Sequence, residues 1–268
     1  MHGQTHNKRP RRYLAQGSQV KVTLELPGVI RLADKFLLVT VRADLVQRVV
    51  DEWPRDLFEW DVREGEISSL MTTAQSQPVW VPARPIAARL PEPASAIMFA
   101  QEFGCPQILP AAFYLLARIS VTDEWEADTE HGYELRAAWS RLDTTNLLRY
   151  MRGCKAMVDY HRCISSEFDR GEMLCQECRP PWSLPGYIRY TGAPPVDYDD
   201  KRYGCLQYVR TLRDMAWKSC PPHELLRGFT ELQKKDASDE LNKTHPNGLC
   251  EDCSLYFWEW VHETRLSV

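Results

Sequence analysis

Four cysteines stand in two pairs of identical spacing, Cys175-Gln176-Glu177-Cys178 and Cys250-Glu251-Asp252-Cys253. A CxxC pair presents two sulfurs from one turn of chain, and two such pairs can supply four thiolates to a tetrahedral zinc ion. A closed four-thiolate set leaves no coordination position for a substrate, so zinc held this way would be structural. The 71 residues between Cys178 and Cys250 exceed the spacing of compact zinc modules. Two other readings fit the same residues. Cysteines at i and i+3 on a helix make one buried face, and free cysteine is among the most buried residue types. A CxxC pair is also the form of a redox dithiol, which usually requires a βαβ setting.

The remaining chemistry-bearing residues are weaker. His161 and Cys163 are two apart, so on a helix they point away from each other and make no dyad. The acidic run Asp123-Glu124-Trp125-Glu126-Ala127-Asp128 reads as a solvated loop before it reads as a cation site. No phosphate-binding glycine loop, His-Glu-x-x-His or Gly-x-Ser-x-Gly occurs. No catalytic residue is assigned and no enzyme activity is expected.

The elements that must position the cysteines read as helices. A helix-turn-helix pattern occurs twice, over Val29 to Val50 and over Ala96 to Ile119. Superposed, Leu32-Ala33 meets Phe99-Ala100, Phe36 meets Phe103, Val41 meets Ile108 and Val46 meets Phe113. In each copy a small alanine admits a neighbouring helix and an aromatic three residues later plugs the same face. Pro27 suits a helix start, Gly104 a helix end and Pro110 the opening of the next helix. The alternation Val20-Lys21-Val22-Thr23-Leu24 allows one short strand. The stretch 63–93 holds five prolines and is expected to be a loop between the hairpins. A third helix is expected from Thr144 to about Glu167, with Leu147, Met151, Cys154 and Val158 on one face and Gly153 tolerated for close packing. Proline-rich chain follows from Arg179 to Asp200. Three helices are then expected over Tyr203–Lys218, Pro222–Lys235 and Leu249–Arg265. The last of these carries Trp258 and Trp260, which cannot face the same core from one helix. The class is therefore mainly α, with a basic tail at 1–17, helices at 18–62, a linker at 63–93 and a helical domain at 94–268.

Composition narrows the function classes. The formal net charge of −4 provides no overall basic field of the kind that dominates nucleic-acid binding. No apolar run reaches the roughly 18 to 20 residues that span a bilayer. The opening residues lack the apolar segment of a secretory signal, and nine cysteines without one read as reduced thiols or metal ligands. An intracellular protein is expected, and Lys8-Arg9-Pro10-Arg11-Arg12 has the density of a nuclear import signal.

Certain strings also point to a family. Ile30-Arg31-Leu32-Ala33-Asp34-Lys35-Phe36, followed by Leu45 and Val49-Val50, resembles the closing helices of a BTB/POZ domain. Phe99-Ala100-Gln101-Glu102-Phe103 and Ile108-Leu109-Pro110-Ala111-Ala112-Phe113-Tyr114 are similar to BTB domain-containing proteins common in basidiomycete fungi. Leu147-Leu148-Arg149 with Gly153, and the two cysteine pairs, match the continuation of those chains, so the resemblance covers about residues 25 to 262. It implies the end of a BTB-like domain followed by a BACK-like helical region. The strand-rich part that opens a BTB domain has no counterpart in the twenty or so residues ahead of these helices. A truncated BTB core is therefore expected, and homodimerisation and cullin recruitment are not carried over. By this resemblance the chain would be a non-catalytic protein–protein interaction module, an adaptor or a transcription-related scaffold with a protein partner. The alternative is a zinc-stabilised nucleic-acid-binding module whose basic tail lies on phosphate.

Overall fold

A computed structural model of the chain describes residues 19–76, 91–123, 135–179, 204–217, 220–222, 224–238, 241, 243, 245 and 248–267. Among these residues there are nine α-helices and no sheet. They are α1 (Gln19–Lys35), α2 (Val39–Val50), α3 (Leu57–Ser76), α4 (Pro93–Phe103), α5 (Leu109–Ala117), α6 (Thr144–Arg170), α7 (Gly204–Trp217), α8 (Leu225–Asp236) and α9 (Glu251–Leu266). The mainly α class expected from sequence is what the structure has. The helices form two compact units, 1–150 and 151–268. The basic tail, the acidic run from Glu124 onward and the proline-rich stretch from 180 to 203 lie outside the described residues.

In the first unit α1 packs on α2 and on α4, and α4 packs on α5. The short strand expected at Val20–Leu24 is instead part of α1. Val20 and Leu24 are four apart as well as alternating with polar residues, and among the described residues there is no strand for them to pair with. Pro27 is accordingly inside the helix, where its ring deletes one i to i−4 hydrogen bond. Residues 63–76, expected as loop, belong to α3. All five prolines of the 63–93 stretch lie beyond residue 77, so nothing interrupts the helix before that point.

Glu92 fastens the start of α4. Its side chain is fully buried and accepts hydrogen bonds from the Ala94 N–H at 2.9 Å and the Ser95 N–H at 2.6 Å. It also accepts one from the Ala138 N–H at 2.9 Å, across the unit. A carboxylate at a helix N-terminus meets both free N–H groups and the positive end of the helix dipole. At the other end Gly104 adopts φ 70°, and the Cys105 N–H reaches the Ala100 carbonyl at 3.0 Å, as in a Schellman cap. Pro110 opens α5. Both positions follow the sequence reading.

The two hairpins share a layout and differ in what they bury. Ala33 and Ala100 are both buried. Phe103, however, is 7% exposed and packs against Phe99, the rings tilted with centroids 4.6 Å apart, whereas Phe36 is 62% exposed. Leu32 and Val41 are likewise exposed where Phe99 and Ile108 are buried. The aromatic plug therefore exists only in the second copy.

Helix α6 also departs from its expected face. Leu147 and Met151 are exposed, while Asn146, Ile164 and Phe168 are buried. Asn146 and Gln101 pair side chain to side chain at 2.7 and 3.0 Å, so an amide takes the inward position where an apolar residue was expected. Among the described residues, nothing outside its own helix backbone lies within 4 Å of the Cβ position of Gly153, and close packing among them does not account for that glycine. Gly228 of α8 is different: a Cβ there would fall 1.6 Å from Nε1 of Trp217 on α7. The α7–α8 pairing thus requires a residue without a side chain. Around it, Phe168, Phe229 and Phe257 form the aromatic centre of the second unit.

Phe103→Ala is expected to cost about 3 to 5 kcal/mol by chemical denaturation, against within about 0.5 kcal/mol for Phe36→Ala on an exposed face. Equal losses at both positions would contradict the burial difference. Burial raises the carboxyl of Glu52 to about 7, against the opposing pull of Arg63 and Arg48. An acid whose folded pKa is raised favours the fold at low pH and loses that contribution as pH rises through about 7. Glu52→Gln is therefore expected to stabilise the protein at pH 8 and leave it unchanged at pH 4, read as the shift in denaturation midpoint at each pH.

Candidate metal centre

The chain reaches the first cysteine pair through a helix end. Gly171, at φ 65°, lets the Glu172 N–H return to the Glu167 carbonyl and the Gly171 N–H to the Phe168 carbonyl, both at 3.2 Å. That is the hydrogen-bond pair of a Schellman cap. Arg179 then holds the following turn by donating to the carbonyls of Glu172 and Leu174. Cys175 and Cys178 sit on a tight turn in which the Cys175 carbonyl accepts from the Cys178 N–H at 3.2 Å and the Arg179 N–H at 2.9 Å. The second pair is built on the start of α9. Gly248, at φ 56°, precedes Cys250, which is the N-cap; its Sγ accepts from the Cys253 N–H at 3.4 Å.

The structure brings all four sulfurs of Cys175, Cys178, Cys250 and Cys253 within 4.8 Å of one another. The Cys175 and Cys253 sulfurs are 3.3 Å apart and buried. Cys178 and Cys250 are 3.8 Å apart on the open side, the first half-buried and the second exposed. Four sulfurs at 2.3 Å from a tetrahedral centre stand about 3.8 Å apart. All four are free thiols. The donor set and its spacing fit a soft divalent ion held by four thiolates.

The surroundings suit the negative charge such a set would carry. The Cys175 N–H donates to the Cys253 sulfur at 3.4 Å, and the α9 N-terminus lies at the second pair. Without a metal, burial pushes the thiols of Cys178 and Cys253 well above the usual range, and contacts with neighbouring thiols add to the shift. Raised thiols are protonated at neutral pH and poor nucleophiles, unlike the depressed thiols of redox CxxC sites.

The structure also places a fifth sulfur here. Cys205, in the first turn of α7, is buried among the core residues of this unit. Its Sγ accepts from the Cys250 N–H at 3.4 Å. A single cysteine with no partner at short spacing leaves no local signal, and sequence reasoning missed it.

His161 and Cys163 are not brought together. His161 is half-buried with its ring edge-on to Trp217, centroids 5.6 Å apart. Burial and then Arg213 lower its pKa. Cys163 is exposed, and its thiol donates to Glu167 at 3.5 Å, which raises it. Trp258 and Trp260 flank Phe257 and are both half-buried against the core. The Trp260 Nε1–H donates to Glu167 at 3.0 Å. The face that the last helix buries carries Cys253, Phe257 and Val261.

These features define a mainly α protein of two compact units, one of which carries a four-thiol cluster able to hold a metal ion. Compared with models of protein families, with curated proteins and with solved structures, the chain finds no match. No described helix is long and apolar enough to cross a membrane.

A metal that binds these thiols must displace their protons. Affinity for a thiophilic ion such as Co2+ or Cd2+ is expected to fall roughly tenfold per pH unit for each proton released. Titrations at pH 6 and pH 8 with proton release measured in parallel check this; an affinity that does not fall at the lower pH would contradict ligation by the four cysteines.

Proposed function

We propose that the chain is a non-catalytic protein–protein interaction module of BTB-like type, serving as an adaptor or scaffold, with its second unit held by structural zinc. The observation that carries this reading is the α1–α2 hairpin. Val29, Leu32, Phe36, Leu37, Leu38, Val39 and Val41 are all exposed. Leu37, 83% exposed, occupies the turn at φ 58°, a left-handed conformation that a branched side chain adopts at a cost. Contiguous exposed apolar residues of this kind mark contact sites for other proteins.

The residues quoted for the BTB/POZ resemblance include this same hairpin, from Ile30 to Phe36 and on to Val50, and that resemblance supports the interaction reading. The zinc part rests on the four converging sulfurs. Zn2+ is the usual occupant of four-cysteine sites, where it stabilises folding without an open catalytic position. The raised thiols of Cys178 and Cys253 weigh against either of these two as a redox nucleophile. The nucleic-acid alternative would need the basic run Lys8–Arg12, outside the described residues, to outweigh a net charge of −4.

A photo-crosslinking residue placed at Leu37 tests the interaction reading in cells. Adducts with another polypeptide are expected at Leu37 and not at the exposed Arg152 of α6. Equal labelling at the two positions, or none at Leu37, would remove the reading.

A further inference from the structure

The four sulfurs of the cluster face one another in two pairs, and neither pair is a CxxC. Cys175 faces Cys253 at 3.3 Å, and both are buried. Cys178 faces Cys250 at 3.8 Å, the one half-buried and the other exposed. Each contact therefore runs between the turn after α6 and the start of α9, and only the second of them meets solvent. A solute that reacts with thiolates reaches Cys250 first.

Hydroperoxides are such solutes, and they select sulfurs by thiolate character and exposure. A sulfur held by a metal ion is a thiolate, because ligation requires loss of its proton. Cys250 is in addition the N-cap of the sixteen-residue helix α9, and its sulfur accepts from the Cys253 N–H at 3.4 Å. Negative charge is favoured at that end of a helix. What stands beside Cys250 then decides the product. Cys253, its CxxC neighbour, has its sulfur turned to Cys175. The sulfur that faces Cys250 is that of Cys178.

We infer that the Cys178–Cys250 edge is a site of oxidative modification, at which a hydroperoxide joins these two residues in a disulfide and the metal ion is released. This rests on the metal-site reading above. The Cys250 sulfur attacks the peroxide; the O–O bond breaks, hydroxide leaves and Cys250 becomes a sulfenic acid. The Cys178 thiolate attacks that sulfur, the S–O bond breaks and a second hydroxide leaves. Two thiolates have given up two electrons, and one molecule of peroxide has taken them. An ion left with two thiolates has lost its closed four-sulfur set. The link between the turn after α6 and α9 persists in covalent form. It closes the 71 residues between Cys178 and Cys250 into a loop and so restricts the unfolded chain. Oxidation removes the ion without untying the two elements that the ion joins.

The test uses the full wild-type chain, loaded with zinc under reducing conditions, freed of excess metal and reductant, and treated with an equimolar amount of hydrogen peroxide. Released zinc is read with a colorimetric chelator, and disulfides are mapped by mass spectrometry after alkylation of the remaining thiols. Circular dichroism follows helicity and the thermal midpoint. One zinc ion is expected for each Cys178–Cys250 disulfide, with Cys175 and Cys253 recovered as alkylated thiols. The oxidised, zinc-free chain should keep the midpoint of the loaded one, whereas removal of zinc by EDTA in the presence of reductant should lower it. In the variant Cys178→Ser, dimedone should mark Cys250 as the sulfenic acid; marking at Cys175 or Cys253 instead would overturn the inference. So would retention of zinc, a disulfide within either CxxC pair or between Cys175 and Cys253, or an oxidised chain whose midpoint falls to that of the chelated one. Each of these leaves the four-cysteine metal site standing. If the reduced wild-type chain takes up no zinc, the metal reading falls and takes this inference with it.

Discussion

The second unit depends on a meeting of helix ends at sulfur. The turn that follows α6 carries Cys175 and Cys178, and the first turn of α9 carries Cys250 and Cys253. The four sulfurs converge to within 4.8 Å. Beyond them along the same two helices, Ile164 and Phe168 join Phe257 and Val261 in one core. A helical protein has no ladder of backbone hydrogen bonds between its elements, so helix ends are where its geometry loosens first. Gly171 and Gly248, both at positive φ, turn the chain toward the cluster from either side. Cys250 caps α9 with the same sulfur that it presents to the site. Capping and clustering are thus one arrangement, and a residue that disturbs one disturbs the other.

The first unit solves the same problem with charge. Glu92 joins the start of α4 to Ala138 through three N–H groups on one buried carboxylate. Arg118, at the end of α5, pairs with Glu64 of α3, both side chains being buried. A buried ion pair repays the desolvation of its members only when its geometry and its remaining hydrogen bonds are good. What it provides with more certainty is register, because a guanidinium and a carboxylate meet fork to fork in few ways. The polar ties hold the helix ends while Ile97, Phe99 and Leu116 fill the interior between them.

Local signals were legible in the sequence and distant ones were not. Gly104 and Pro110 act on their own neighbours, and in the second hairpin α4 ends and α5 opens at these two residues. Each CxxC pair is local as well. That the pairs meet across 71 residues is decided by the packing of α6 on α9, which spacing alone does not encode. Cys205 comes from a third helix and had no signal at all. The repeat misled in an instructive way. Ala33 and Ala100 are both buried because close approach of two helices requires a small residue in either copy. Phe36 is left outside, since what lies over an aromatic depends on elements the repeat does not contain. In α6, period reasoning chose Leu147 and Met151, but Asn146 pairs with Gln101 and turns that face outward. For 63–93 a count of prolines over a window hid that they all lie in its second half.

The weight of the metal reading over a plain buried-thiol reading lies in the open half of the cluster. Burial explains Cys175 and Cys253, because a sulfur is a small apolar group and both sit among core residues. It does not explain why the half-buried Cys178 and the exposed Cys250 point their sulfurs at one another and at the buried pair. An exposed thiol gains nothing by burial that it does not have, and four thiols in contact make no strong hydrogen bonds among themselves. Ligation gives all four one reason to converge. It accounts for N–H groups being turned toward sulfurs, which are weak acceptors as thiols and much stronger ones as thiolates. It also places the exposed sulfurs on the side from which an ion arrives.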